Sequence, residues 1–400
     1  MPLLFSQSVF RSLRASNLLR GINVLNKPSW RTPRRTLSTH IDSIVKGLPN
    51  GARKSVGYWL LGMAGLTFGA IGIGGVTRLT ESGLSMVDWH PFKEVPPRTE
   101  ESWNKEFEKY KQFPEYEHVV KDRGEMTLSR FKFIWYMEWC HRQWGRLIGV
   151  AFALPATLFW YRGYFNKGMK IRVVCYGVLI GFQGLLGWYM VRSAGMDPGE
   201  EFVGVPRVSH YRLAAHLSTA AILYSLFLWS GFSHMCTHPT GLDCLMDILS
   251  HPRMFGGWYS FARTHVGAFV AGLDAGLTYN SWPKMADRWV PDDLLVARYG
   301  STLRNLVENP TAVQFMHRNL AYLTVALVTG AWVMTLRVPG GRLRNAAHFM
   351  LAATIGQSAI GIITLLQYVP VWLGATHQAG SLVLLSTILW YTHCLRAIRK

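Results

Sequence analysis

The sequence predicts an all-α polytopic membrane protein with eight transmembrane helices, arranged as two tandem four-helix bundles related by internal duplication. Three observations carry this prediction. The 400 residues are 49% hydrophobic and only 16% charged, whereas a soluble globular chain carries about 25% charged residues; too little polar material is present to cover a water-facing surface. Apolar stretches recur at the length a helix needs to cross a hydrocarbon core, about 20 residues at 1.5 Å each. The motifs of the first half also return in the second half in the same order.

The first 54 residues carry ten Lys/Arg and one acid, Asp42, among many serines. An Arg-rich, acid-poor leader without an uninterrupted apolar core has the composition of a mitochondrial transit peptide rather than a secretory signal. A disordered basic tail lying on lipid head groups would share that composition. The spans then follow as Gly57–Thr77, Phe133–Trp160, Ile171–Val191, Tyr211–Phe232, Phe255–Leu277, Val313–Leu336, Asn345–Leu366 and Gly374–Leu395. Arg263 and His265 interrupt the fifth, which makes seven spans the rival count.

Loop charge decides between them. Residues 161–170, 337–344 and 396–400 contain basic residues and no acid, so by the positive-inside rule they share the inner, matrix side. The loops 78–132, 192–209 and 278–312 mix both signs and face the intermembrane space. Only eight spans put every basic end on one side, with both termini in the matrix. Within the first outer loop, Glu100 and Glu101 open and Lys109 and Lys111 close a short helix. It carries Trp103, Phe107 and Tyr110 on one face, ends at Pro114 and covers the mouth of the bundle. The chain thus divides into a leader 1–54, an N-terminal half 55–233, a matrix-side connection 234–257 and a C-terminal half 258–400.

The halves match residue by residue. His141-Arg142 in the second helix returns as His317-Arg318 in the sixth. Gln183-x-x-x-Gly187 returns as Gln357-x-x-x-Gly361, and Ala215-His216 as Thr376-His377. His141 lies 42 residues before Gln183, and His317 lies 40 before Gln357. The first and fifth helices also end alike, in Gly83-Leu84…Trp89 and Gly276-Leu277…Trp282. Four helices per half give the halves parallel topology, related by an axis along the membrane normal.

All four histidines start even-numbered helices, which run in one direction, so their rings lie at similar depth near the outer face. Polar groups inside a membrane are costly and tend to be functional. One such histidine is more often a packing residue, but four at repeat-related positions are poorly explained that way. Two imidazoles facing each other across a bundle can ligate a haem iron from both sides, whereas zinc favours a closed tetrahedral set with thiolate or carboxylate. Gly145 and Gly149 leave room for a macrocycle, or serve helix packing. Arg142, Arg212 and Arg318 suit propionates through their planar forks, or snorkel to the interface.

The halves differ at one place. Glu138 lies three residues before His141, and Gln314 lies three before His317. A carboxylate beside one pair and an amide beside the other suggests chemistry in the first half; otherwise Glu138 is the i,i+4 partner of Arg142. Asp274, the only other acid within the spans, reads as a structural cap or an outer-loop hydrogen bond. Five cysteines without a C-x-x-C pair exclude a disulfide framework and a zinc ribbon, and Cys140 reads as a small packing residue.

At these residues the sequence resembles the haem A synthases of mitochondria and bacteria, across roughly Tyr58 to Ala397. The matching segments run from Gly74 to Ser85, Phe131 to Glu138, His141-Arg142, Phe182 to Val191, Tyr211 to His216, Gly272 to Gly276 and Ala375 to Gln378. The resemblance implies oxidation of the C8 methyl group of haem O to the formyl group of haem A, for cytochrome c oxidase assembly. It implies that His141 and His216 hold substrate haem O, with Glu138 as the catalytic carboxylate. His317 and His377 would be the axial pair of a haem b cofactor, and Arg78 joins Arg142, Arg212 and Arg318 as candidate propionate contacts. Two successive oxidations give an alcohol and then a hydrated aldehyde that loses water. A carboxylate there can accept protons or stabilise a cation.

The same resemblance implies a mitochondrial inner-membrane location, electrons from a ferredoxin and its reductase at the matrix face, and haem O synthase as a candidate partner; a homo-oligomer is compatible with it. The chain departs from the family in two ways. It lacks the outer-loop cysteine pair of some bacterial relatives, and Ser233–Arg263, with His234, Cys236, His238, Cys244 and His251, does not match. Scattered His and Cys in such a loop are more often incidental than a metal site. A non-catalytic bis-histidine cytochrome or a haem carrier would share the four histidines. The net charge of 42 − 23 = +19 has two sources: the leader contributes +9, and acid-free matrix segments account for much of the remaining +10. The charge therefore reports import and orientation, and nucleic-acid binding is not a serious reading.

Overall fold

The computed structural model describes residues 44–86, 94–112, 116, 124–194, 208–235, 265–337 and 341–396. Most of the leader, the Pro114 stop and the segment with Cys236, His238, Cys244 and His251 lie outside the described residues. Among the described residues the secondary structure is helical, apart from one isolated bridge between Met285 and Arg288. In chain order the helices are α1 (Asn50–Leu79), α2 (Glu100–Lys111), α3 (Leu128–Tyr161), α4 (Lys167–Arg192), α5 (His210–Met235), α6 over residues 265–272, α7 (Thr302–Glu308), α8 (Pro310–Leu336), α9 (Gly341–Leu366) and α10 (Val371–Arg396). Five of them, α1, α4, α5, α8 and α9, are long and apolar enough to cross a membrane. The chain is a multi-pass, all-α membrane protein.

The helices begin before the expected apolar stretches, and at three of them a polar cap marks the start. Thr127 accepts from Arg130 N at α3, Asn166 from Met169 N at α4 and Asn309 from Thr311 N at α8, each satisfying an amide that the first turn leaves unpaired. The fifth expected span differs. Helix α6 stops at residue 272, short of the expected Leu277, and a turn and a short 3-10 segment, Ala275–Leu277, follow. Asp274 takes a left-handed backbone there (φ 49°), as Glu81 does just past α1 (φ 53°), and a left-handed residue ends a right-handed helix. Its expected start at Phe255 lies outside the described residues.

The short outer helix forms as its charges and aromatics predict. Thr99 and Ser102 close a capping box at the start of α2. Trp103, Phe107 and Tyr110 are buried, with the rings of Phe107 and Tyr110 stacked on Phe131 at 5.0 and 5.2 Å. Helix α2 therefore sits on the first turns of α3.

Helices α1, α3, α4 and α5 close a ring, with α1 on α3 and α5, and α4 on the same two. Further along the chain α8 packs on α9 and α9 on α10, while α6 joins α5 and α8 through Ala214, Ala268, Phe269 and Val313. A seam ties the two groups together: α1 meets α10, and α5 meets both α10 and α6. In lipid such contacts depend on close van der Waals fit rather than exclusion of water, which favours small residues. A Cβ on Gly374 of α10 would lie 2.9 Å from Leu79 of α1, and one on Gly272 of α6 would meet Leu213 of α5 at 3.5 Å. Along the same seam, Gln378 of α10 donates to the Ile71 carbonyl of α1 at 2.7 Å.

Candidate functional site

His141 lies on α3, His216 on α5, His317 on α8 and His377 on α10. Each ring is faced by a glycine of an earlier helix: α1, α4, α6 and α9 in turn. A Cβ would come within 2.8 Å of His141 Cε1 at Gly74, 3.4 Å of His216 Cε1 at Gly187, 3.4 Å of His317 Cε1 at Gly267 and 2.7 Å of His377 Cε1 at Gly361. Glycine is needed here for close approach: a side chain at Gly74 or Gly361 would displace the ring it faces. Sequence comparison pairs Gly187 with Gly361, but does not reveal that all four glycines serve the imidazoles.

The rings of His317 and His377 lie 6.2 Å apart, centroid to centroid, at 78° to one another. Two imidazoles bonded to one metal from opposite sides, each through a nitrogen roughly 2 Å away, would hold their centroids about 6 Å apart. His141 and His216 lie within electrostatic reach of each other, and the buried Nδ1 of His141 has no hydrogen-bond partner. Among the described residues no group of three or more His, Cys, Asp or Glu gathers to hold a metal ion. A metal held by either pair would have to bring further ligands, as a haem iron does. The paired rings, the orphaned nitrogen and the glycine clefts fit a haem in each half.

The repeated glutamines address the last histidine of each half. Gln357 Nε2 donates to His377 Nδ1 (3.1 Å) and to the His377 carbonyl (2.8 Å). The Gln183 amide satisfies its neighbours when its nitrogen faces His216, donating to Nδ1 (2.8 Å) and to the carbonyl (3.3 Å), while its oxygen accepts from Ala220 N (3.0 Å). Each glutamine thereby fixes the orientation of the histidine ring it touches.

Glu138 is 3% exposed, and both its oxygens are engaged. Oε2 accepts from Ser85 Oγ (2.8 Å) and Met86 N (2.7 Å), and Oε1 accepts from Arg142 (2.5 Å). Arg142 also donates to the Met86 carbonyl and to Glu94, both at 3.0 Å, and Arg146 donates to the other oxygen of Glu94 at 2.8 Å. Buried charges need partners, and here two guanidiniums balance two carboxylates. Sequence reasoning found Glu138 and Arg142 but missed Ser85, Glu94 and Arg146. Arg146 follows Arg142 by one helical turn, which was a usable signal; Glu94 comes from a loop and offered none.

The second half repeats the frame with the opposite hydrogen-bonding sense. Gln314 Nε2 donates to the carbonyls of Ala275 (2.7 Å) and Tyr279 (3.3 Å), and its Oε1 accepts from Arg318 (3.1 Å). Arg318 donates to the Tyr279 carbonyl (2.8 Å) as Arg142 does to that of Met86. The first half offers donors to an anion, and the second offers carbonyl oxygens to an amide.

The other expected contacts are also engaged by protein groups. Arg78 donates to Asp274 (3.1 Å) and to the Gly272 carbonyl (3.3 Å). Asp274 is thus the outer hydrogen-bond partner expected of it, but it makes no side-chain cap. Arg212 donates to the Ser193 carbonyl (3.2 Å) and lies 5.1 Å over the ring of Tyr189. Cys140 is an exposed free thiol, so it is not a buried packing residue. His234, at the end of α5, is fully buried and bonded through Nδ1 to the Ser230 carbonyl (2.8 Å).

The family model described as Cytochrome oxidase assembly protein matches residues 57–389. The chain is 50% identical over 353 residues to heme A synthase COX15 of Mus musculus, covering 87% of this chain and 84% of that protein. It is 37% identical over 404 residues to heme A synthase COX15 of Saccharomyces cerevisiae, covering 94% and 81%. To the heme A synthase of Rhodospirillum centenum it is 40% identical over 351 residues, covering 86% and 89%.

Proposed function

The chain belongs to the cytochrome oxidase assembly protein family, and from that premise we propose that it is a haem A synthase, an oxidoreductase acting on haem O. It converts the C8 methyl group of haem O to the formyl group of haem A. The observation that carries the reading is the asymmetry of the two histidine pairs: a buried, fully engaged carboxylate stands beside the first pair, and an amide beside the second.

His141 and His216 hold haem O between α3 and α5, and Glu138 is the catalytic carboxylate. Arg142, Ser85 and the Met86 amide hold Glu138 as an anion, aligned before reaction. A preorganised anion stabilises positive charge developing at the reacting carbon without reorganisation in the barrier. His317 and His377 hold haem b, which supplies one-electron transfer when bound. Gln183 and Gln357 orient His216 and His377, and Arg78, Arg142, Arg212 and Arg318 are the candidate donors to propionates, alongside the protein partners they already have.

The helices form eight transmembrane spans in two duplicated four-helix bundles in the mitochondrial inner membrane, with both termini in the matrix. A ferredoxin and its reductase deliver electrons there, and a haem O synthase supplies the substrate.

Chromatography of haems extracted from membranes carrying the wild-type chain and Glu138→Gln tests this reading. The wild type yields haem A; Glu138→Gln loses it, accumulates haem O and keeps its haem b spectrum. Wild-type haem A yield in Glu138→Gln removes the catalytic role. Haem b alone, with no haem O accumulating when the chain is deleted, would mark an electron-transfer cytochrome instead.

A further inference from the structure

Below the first histidine pair the helices part. Gly149, Phe152, Ala153 and Ala156 of α3 and Gly177 and Gly181 of α4 line a cavity of ≈ 730 Å³ that reaches Trp160 and Tyr161. Its lining carries no charge, and its one threonine hydroxyl, on Thr157, donates to the Ala153 carbonyl (2.9 Å). Ala153, Val174 and Gly181 are exposed, so the groove opens sideways. Gly149 lies eight residues beyond His141, about 12 Å along the helix. The space between is clear: a Cβ on Gly145, Gly149, Gly181 or Gly184 would meet nothing within 4 Å.

Small residues alone would signify only helix packing, but the duplicated half provides an internal control. Aligning His141 with His317 and Gln183 with Gln357 places Val325 opposite Gly149, Trp332 opposite Ala156, Leu351 opposite Gly177, Ile355 opposite Gly181 and His348 opposite Val174. There larger side chains stand at the matched positions, Ile355 being exposed and Trp332 and Leu351 partly buried. Trp332 and Leu351 pack into the α8–α9–α10 cluster, and Trp332 Nε1 donates to His348 Nδ1 at 3.0 Å. The two halves thus present the same histidine frame over different surroundings, one hollow and apolar, the other carrying larger side chains.

Haem O differs from haem b chiefly by a long isoprenoid chain on the porphyrin edge. We propose that the α3–α4 groove seats this chain, and that the larger side chains of the α8–α9 face exclude it from the second half. The groove makes the first site selective for the tailed substrate, and those side chains keep the second for the tail-less cofactor. This rests on the haem A synthase reading and deepens it.

The test titrates haem O and haem b spectroscopically into the His141/His216 site of the full-length chain in lipid nanodiscs. Wild type takes haem O more tightly than haem b. Gly149→Val combined with Ala156→Trp, which gives α3 the residues α8 carries, weakens haem O binding by about tenfold or more. Haem b affinity at that site is little changed, and the haem spectrum of the second half reports that the variant is folded. Ala153→Leu, a milder filling of the same groove, shows the same selective loss if the double variant does not fold. Equal haem O affinity in wild type and variants overturns the proposal. So does parallel loss of both haems, which marks a general packing defect or a groove filled by a lipid acyl chain. If wild type binds neither haem through His141, the substrate reading itself falls and takes the groove proposal with it; the unaltered chain alone reveals that case.

Discussion

Glu138 and Gln314 occupy matched positions, and each is met by groups of the sense it needs: Ser85 and Met86 donate to the acid, and the carbonyls of Ala275 and Tyr279 accept from the amide. The glycines beside the histidines show the same tailoring and give a sharp prediction. A valine at Gly74 forces atoms to within 2.8 Å of His141 Cε1, so Gly74→Val empties the first haem site and leaves the second. Gly361→Val, whose Cβ would lie 2.7 Å from His377 Cε1, does the reverse; absorption spectra of the two purified variants check both. The histidines, Glu138 and Gln314 could be read in the sequence because the repeat aligns them. Glu94 could not, because it reaches Arg142 from a loop 48 residues away, and no local pattern encodes where a loop folds back.

Among the elements, α2 depends most plainly on its partner. Twelve residues are too few for a stable isolated helix, so its order comes from the face stacked on Phe131. Removing the Phe107 ring costs about 3–5 kcal/mol, more than such a helix can lose and stay docked. Phe107→Ala therefore exposes residues 94–112 to protease and speeds their amide exchange, while haem content persists; protection of those residues in that variant contradicts the stacking account. The charges and aromatics of α2 made it visible in the sequence. Hydropathy located the long helices but not their starts, which capping residues such as Thr127 and Asn309 mark, nor the end of α6, where Asp274 turns left-handed.

Across the whole molecule, Arg78 and Asp274 link the end of α1 to the turn after α6. The pair is partly exposed, so a double-mutant cycle with Arg78→Ala and Asp274→Ala should give a coupling of about 1 kcal/mol; no coupling in thermal unfolding would mean the contact is incidental. Sequence matching finds the repeat but not which surfaces join: Asp274 is matched by the acid Glu81, yet its partner Arg78 is matched by the neutral Ala271. The seam has a historical reading. Leu79 of α1 covers Gly374 of α10, and their counterparts in the alignment, Gly272 of α6 and Leu213 of α5, meet with the large and small residues exchanged. One contact is thus made twice, as two identical units make it about a two-fold axis. A half-length ancestor would already have had the surface needed to pair with its own copy, and joining the copies in one gene would free each half to diverge while the seam stayed in place.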